Sequence, residues 1–219
     1  IYLAQVQQQG QSGELPGGMY AHALATIAFC EAYGISGDER LRLNAQFAIK
    51  YLLGAQHNAG GWRYGPGQPG DMSATGWVFL AIRSAQLTGI PVLQGVLTRA
   101  ERFIDTCAVG PQEAPGSRYT YLPTAPERLE KRSLTAAGLL TREYLGWRQD
   151  ESNLTAGAEY LMKNQPPERA TNLGDLYYYY YATQVLHHLE GDDFDLWNYR
   201  MREHLIGNQE QDGEVAGSW

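Results

Sequence analysis

The sequence predicts an all-α fold of paired helices, and three observations predict it. A signature of aromatic-Leu, three residues and Gln recurs along the chain, with a Gly-Trp tail in its clearest copy. Apolar, small-residue-rich segments alternate with amphipathic ones. Glycines close the apolar segments at intervals of 55, 57 and 45 residues, as expected of a helical-hairpin repeat with variable loops.

The clearest copy of the signature is Tyr51-Leu52, Gln56 and Gly60-Gly61-Trp62. Tyr160-Leu161 with Gln165, and Tyr2-Leu3 with Gln7, repeat its first half. Near the end Leu205, Gln209 and Gly213 carry it again, with His204 in the aromatic slot. In the second unit Phe103-Ile104 stands for aromatic-Leu, but Ala108 replaces the Gln.

Each unit reads as two helices. The first helices are expected over about residues 20–33, 73–88, 133–145 and 177–189. Gly34, Gly89, Gly146 and Gly191 follow them, where a left-handed turn ends a helix. Ala, Leu, Ile and aromatics occupy most faces of this set, so other helices should enclose it. The second helices are expected over about 40–55, 92–107, 152–164 and 194–208. They are amphipathic: Arg42, Gln46 and Lys50 recur every four residues opposite Ala45, Ile49, Leu52 and Leu53. Buried parallel inner helices surrounded by outer ones make an α/α toroid, or an arc of one, from about four hairpins.

Composition limits the function classes. The chain has 219 residues, 43% of them in the hydrophobic class, enough for one large core or an array of helices. A net charge of -7 with scattered basic residues argues against nucleic acid as a partner. No stretch reaches the roughly 20 apolar residues that span a bilayer. Cys30 and Cys107 are too few for a disulfide framework and read as buried thiols, which leaves the compartment open.

The signature, with Gly60-Gly61-Trp62-Arg63-Tyr64 and then Gly70-Asp71-Met72-Ser73-Ala74-Thr75-Gly76-Trp77, resembles the QW motif and repeat junctions of squalene/hopene cyclases and related prenyltransferase repeats. The resemblance covers nearly the whole chain. It implies an α/α toroid in which the Gln side chain ties repeats together and the Trp packs beside it. A Gln amide can satisfy a helix-end carbonyl and a neighbouring donor at once. A closed ring of this family needs more hairpins, so the chain is expected to be one part of a larger toroid, completed by the remainder of its own longer chain.

The resemblance also locates a difference. The family's cyclases protonate a polyene from a D-x-D-D-T motif, and the matching stretch here runs from Asp71 to Thr75. Ser73 occupies the position of the proton donor, and a serine hydroxyl cannot protonate an alkene near neutral pH. Asp71 precedes an inner helix, where backbone N–H groups and the helix dipole favour its charged form, which suits a cap and opposes a strong acid. Asp175 stands before the fourth inner helix in the same way.

If the inner helices start at one mouth, His22, Asp71, Ser73, Asp175 and Tyr177 would approach each other there. That gives candidate catalytic residues His22, Asp71 and Asp175, weighed against capping and a hydrogen-bonded core histidine. Candidate ligand-binding residues are Tyr20, Ser73, Trp77, Tyr177, Tyr181 and His188. Residues 177–181 are five consecutive tyrosines, and Tyr177, Tyr181 and His188 share a helix face. Such a face either lines an aromatic cavity or packs between layers. No metal or other cofactor is expected, since neither cysteine has the setting of a zinc ligand.

Two function classes follow. One is a binding or interaction module for an apolar, isoprenoid-like ligand or a protein segment. The other is an isoprenoid-type enzyme using other acid–base groups, such as His22 with Asp71 or Asp175. A lyase or hydrolase acting on a sugar polymer is a weaker third, because α/α toroids also host those.

Overall fold

The computed structural model describes residues 2–8, 13–124, 130–167 and 174–219. Helix accounts for 63% of the described residues and strand for 3%, so the protein is mostly helical. The helices are α1 (Tyr2–Gln8), α2 (Gly18–Ser36), α3 (Glu39–Gly54), α4 (Met72–Leu87), α5 (Gln94–Cys107), α6 (Arg132–Tyr144), α7 (Ser152–Met162), α8 (Leu176–Leu189) and α9 (Gly191–Asn208). Two short strands, β1 (Ala108–Val109) and β2 (Arg118–Tyr119), pair antiparallel between α5 and α6.

The chain divides into two compact units. The first holds α1 to α5 with the segment from Tyr121, and the second holds the β1–β2 hairpin and α6 to α9. In the first, α2 packs on both α3 and α4. Ala23, Phe29, Cys30, Ala81 and Ile82 lie almost wholly inside it, and α4 is buried on most of its faces. In the second, α6 packs on α7 and α8, and α8 on α9. Gly138 lets Tyr119 lie against α6: a Cβ there would come within 2.4 Å of the ring.

The expected helices are present with boundaries shifted by a few residues, and one stop signal is displaced. Gly34 does not end α2. The helix continues through it to Ser36, and Gly37 takes the left-handed turn at φ 67°, its N–H donating to the Tyr33 carbonyl at 2.8 Å. Gly34 serves close packing, since a Cβ there would meet the Thr88 methyl at 2.8 Å. Gly89 and Gly146 do adopt positive φ after α4 and α6.

The recurrent signature makes recurrent hydrogen bonds. Gln56 donates from Nε2 to the Val96 carbonyl at 3.0 Å and accepts from Arg99 Nε at 2.8 Å, joining the end of α3 to the start of α5. Gln7 donates to the Asn44 carbonyl at 3.0 Å and accepts from the Asn44 side chain at 2.6 Å, joining α1 to α3. The Leu of the signature is met in the same way in three of its copies. Trp62 Nε1 donates to the Leu52 carbonyl at 2.7 Å, Tyr178 Oη to Leu161 at 3.0 Å, and Trp219 Nε1 to Leu205 at 2.8 Å. Each donor covers a carbonyl in the last turn of a helix, or close to it, where intrahelical partners run out.

Candidate functional site

The starts of α2 and α4 are positioned by the loops that follow and precede them. The Trp62 N–H donates to Thr75 Oγ1 at 3.0 Å, and the equivalent Tyr119 N–H donates to Thr135 Oγ1 at 3.1 Å. Two residues beyond each of these anchors stands a tyrosine whose carbonyl accepts from the start of a helix. Met19 N–H donates to Tyr64 O at 3.1 Å and Met72 N–H to Tyr121 O at 3.0 Å. Backbone contacts therefore bring Tyr64 and Tyr121 to the helix starts that carry Tyr20 and Ser73.

Side chains complete a cluster there. Asp71 is the N-cap of α4, fully buried, and its Oδ1 accepts from the Ala74 N–H and from Ser73 Oγ–H, both at 2.8 Å. Its Oδ2 faces Arg63 Nε at 3.9 Å. Because Ser73 gives its one proton to Asp71, the hydrogen bond between Tyr20 and Ser73 has the phenol as donor. The order is therefore Tyr20 O–H to Ser73 O–H to the Asp71 carboxylate. Tyr20 stacks on Tyr64 with ring centroids 5.9 Å apart, and the Tyr64 and Tyr121 hydroxyls lie 2.8 Å apart. Trp77, half-buried, follows Ser73 by one turn on the same face of α4.

The electrostatics favour protonated phenols. Burial raises the Tyr20 pKa against the opposing effect of its Ser73 bond, and the nearby Asp71 charge raises it further. Burial, then the Tyr64 bond, raises that of Tyr121. Both are hydrogen-bond donors at neutral pH and poor bases. The cluster can thus present aromatic faces to a ligand, with one buried carboxylate behind them, while the Tyr20 proton is held by Ser73 and one hydroxyl of the Tyr64–Tyr121 pair donates to the other.

His22 is placed differently. It is buried, its Nδ1 accepts from the Leu15 N–H at 3.0 Å, and its Nε2 lies 3.0 Å from the Ala48 carbonyl. Nδ1 as acceptor fixes the proton on Nε2, so both nitrogens are engaged by backbone. Burial lowers its pKa, opposed by the Ala48 bond. His22 thus occupies in α2 the place of Thr75 in α4 and Thr135 in α6, each accepting from the loop anchor before its helix.

The remaining candidates lie in the second unit. Asp175 caps α8, accepting from the Tyr178 N–H at 3.1 Å, with Arg132 Nε 3.9 Å from its Oδ2. The Tyr177 and Tyr181 rings pack with centroids 4.9 Å apart. Tyr181 is fully buried, and Tyr178 lies against Trp197. His188 sits at the other end of α8, its Nδ1 3.2 Å from Glu143 Oε2, and burial raises the Glu143 pKa. Eleven residues separate Tyr177 from His188, about 16 Å along a helix, so the two do not share one mouth of α8.

Of the predicted residues, the structure joins Tyr20, Ser73 and Asp71, with Trp77 one turn further on. Sequence reading missed Arg63, Tyr64 and Tyr121. The signal was a parallel between Trp62-Arg63-Tyr64 and Tyr119-Thr120-Tyr121, visible once Tyr119 is recognised as the counterpart of Trp62. Among the described residues no group of three or more His, Cys, Asp or Glu side chains could hold a metal ion, and no helix is long and apolar enough to cross a membrane. No protein-family model, curated protein or solved structure matches the chain.

Proposed function

We propose that this chain is a squalene-cyclase-like repeat domain of the α/α-toroid type that binds an apolar ligand instead of cyclising it. The repeat character is supported by the hydrogen bonds of Gln7 and Gln56, and by the donors that meet Leu52, Leu161 and Leu205. One observation carries the functional reading. Where a cyclase of the resembled family would hold its proton donor stands Ser73, whose proton goes to Asp71, while Asp71 caps α4. The mouth then offers ring faces from Tyr20, Tyr64 and Trp77, which suit a ligand with a long unsaturated hydrocarbon body.

Incubation with labelled squalene tests this. The expected result is saturable retention of the unaltered polyene, weakened by Tyr64→Ala, which removes an exposed ring. A cyclic product would overturn the non-cyclase reading, and the absence of saturable retention would overturn ligand binding at the mouth.

A second reading rests on the Tyr20–Ser73–Asp71 chain, which leads a phenol proton toward a carboxylate in the manner of acid–base machinery. An enzyme of this kind would use Tyr20 instead of His22, whose ring nitrogens both face backbone. Turnover of any polyprenyl substrate that is abolished by Tyr20→Phe, with squalene-type retention intact, would select it.

A further inference from the structure

We propose that the groove between α3 and α5 binds a long-chain fatty acid as its carboxylate, at a site separate from the aromatic mouth. The groove has a volume of about 540 Å³, within the range of small-molecule sites. Ile49, Leu53, Leu93 and Val96 supply its apolar walls, and Leu93 is 70% exposed. Ile49 and Val96 are 2% and 3% exposed, so Leu93 and the half-buried Leu53 supply the surface that gains from a hydrocarbon chain laid against it.

Charge selects the class of ligand. In a chain of net charge -7, this groove is lined by two cations, Lys50 and Arg99, and by no aspartate or glutamate. Among the described residues neither cation forms an ion pair with a carboxylate. Arg99 is held in place, its Nε donating to Gln56 Oε1 at 2.8 Å, so the signature glutamine orients the guanidinium at the groove wall. A guanidinium and an ammonium beside an apolar trough complement an anionic head on one alkyl chain. A volume of about 540 Å³ lies in the range of small-molecule sites, which favours a single alkyl chain over a protein segment. The Tyr20–Ser73 mouth has no part in this groove, so the squalene and fatty-acid experiments succeed or fail independently.

The test titrates the protein with dodecanoate below its micellar concentration and follows side-chain methyl signals by NMR. We expect saturable one-to-one binding that shifts Ile49, Leu53, Leu93 and Val96. Dodecanol should bind about tenfold more weakly, the loss expected for one charge-assisted contact. Lys50→Glu reverses an exposed charge, which circular dichroism would show to leave the fold intact, and it should weaken dodecanoate by at least as much. Equal binding of dodecanol, shifts confined to methyls outside the groove, or an unchanged affinity in Lys50→Glu would each overturn the proposal. So would binding of anionic phospholipid vesicles or of an acidic peptide without binding of dodecanoate, because the occupant would then be a membrane surface or a protein.

Discussion

The Gln56 side chain donates to the Val96 carbonyl at 3.0 Å across 40 residues of sequence, and it does so from a buried position. That bond joins the residues that follow α3 to the first turn of α5. Gln56→Leu keeps similar bulk but leaves the Val96 carbonyl and Arg99 Nε without this partner. A loss of about 1–3 kcal/mol is expected, read as a lower midpoint in urea unfolding. Gln56→Glu retains an acceptor for Arg99 and removes the donor to Val96, so it should fall between the two.

The donor to the signature Leu carbonyl is an indole at Leu52 and Leu205 and a phenol at Leu161. Trp62→Phe and Tyr178→Phe each remove one donor and keep an aromatic ring in a buried place. Tyr178→Phe should cost about 1–2 kcal/mol, from the carbonyl left without its partner, and Trp62→Phe more, because it also leaves a cavity at a fully buried site. Thermal melts of the two variants check this.

How much of this was legible in the sequence follows from the physics of each feature. Helix positions were readable because periodicity and Gly stops are local properties. Gly34 misled because a glycine can serve either a left-handed turn or a close helix contact, and only the position of Thr88 distinguishes them. The Asp71 cap was readable from its place before an apolar helix, and the structure adds that Ser73 gives it a second donor. Tyr64 and Tyr121 were not readable, because their positions depend on backbone bonds from Met19 and Met72 that join segments 45 and 49 residues apart. His22 looked reactive because residue type was visible and the backbone around it was not.

His22 supplies a pH dependence with a definite sign. Burial holds its folded pKa below the ordinary histidine value of about 6.5, so the unfolded chain binds the extra proton first as pH falls. Stability from this group is complete above about pH 6.5 and declines below it, until the folded pKa is reached. Unfolding free energies measured from pH 7.5 down to 5 should show this slope. In His22→Gln, which has one acceptor and one donor for Leu15 and Ala48, the slope should diminish. An identical pH profile in the variant would show that other groups carry the dependence.

Gly60 tests the junction itself. It lies before Gly61-Trp62 with φ 89°, and a Cβ there would stand 2.0 Å from the Arg99 carbonyl oxygen. The obstacle is backbone of α5, so no side-chain rotation relieves it. Left-handed backbone costs a residue with a Cβ about 1–2 kcal/mol, and overpacking adds about 1–3 kcal/mol. Gly60→Ala should therefore destabilise the first unit by several kcal/mol, more than Gln56→Leu. Gly67→Ala is the control, since it shares a positive φ of 66° but meets nothing within 4 Å. Its loss should be confined to the backbone term, so the difference between the two variants in urea unfolding measures how closely the loop is pressed against α5. Displacing that contact would also move Arg99, and Gly60→Ala should weaken dodecanoate binding while Gly67→Ala leaves it unchanged.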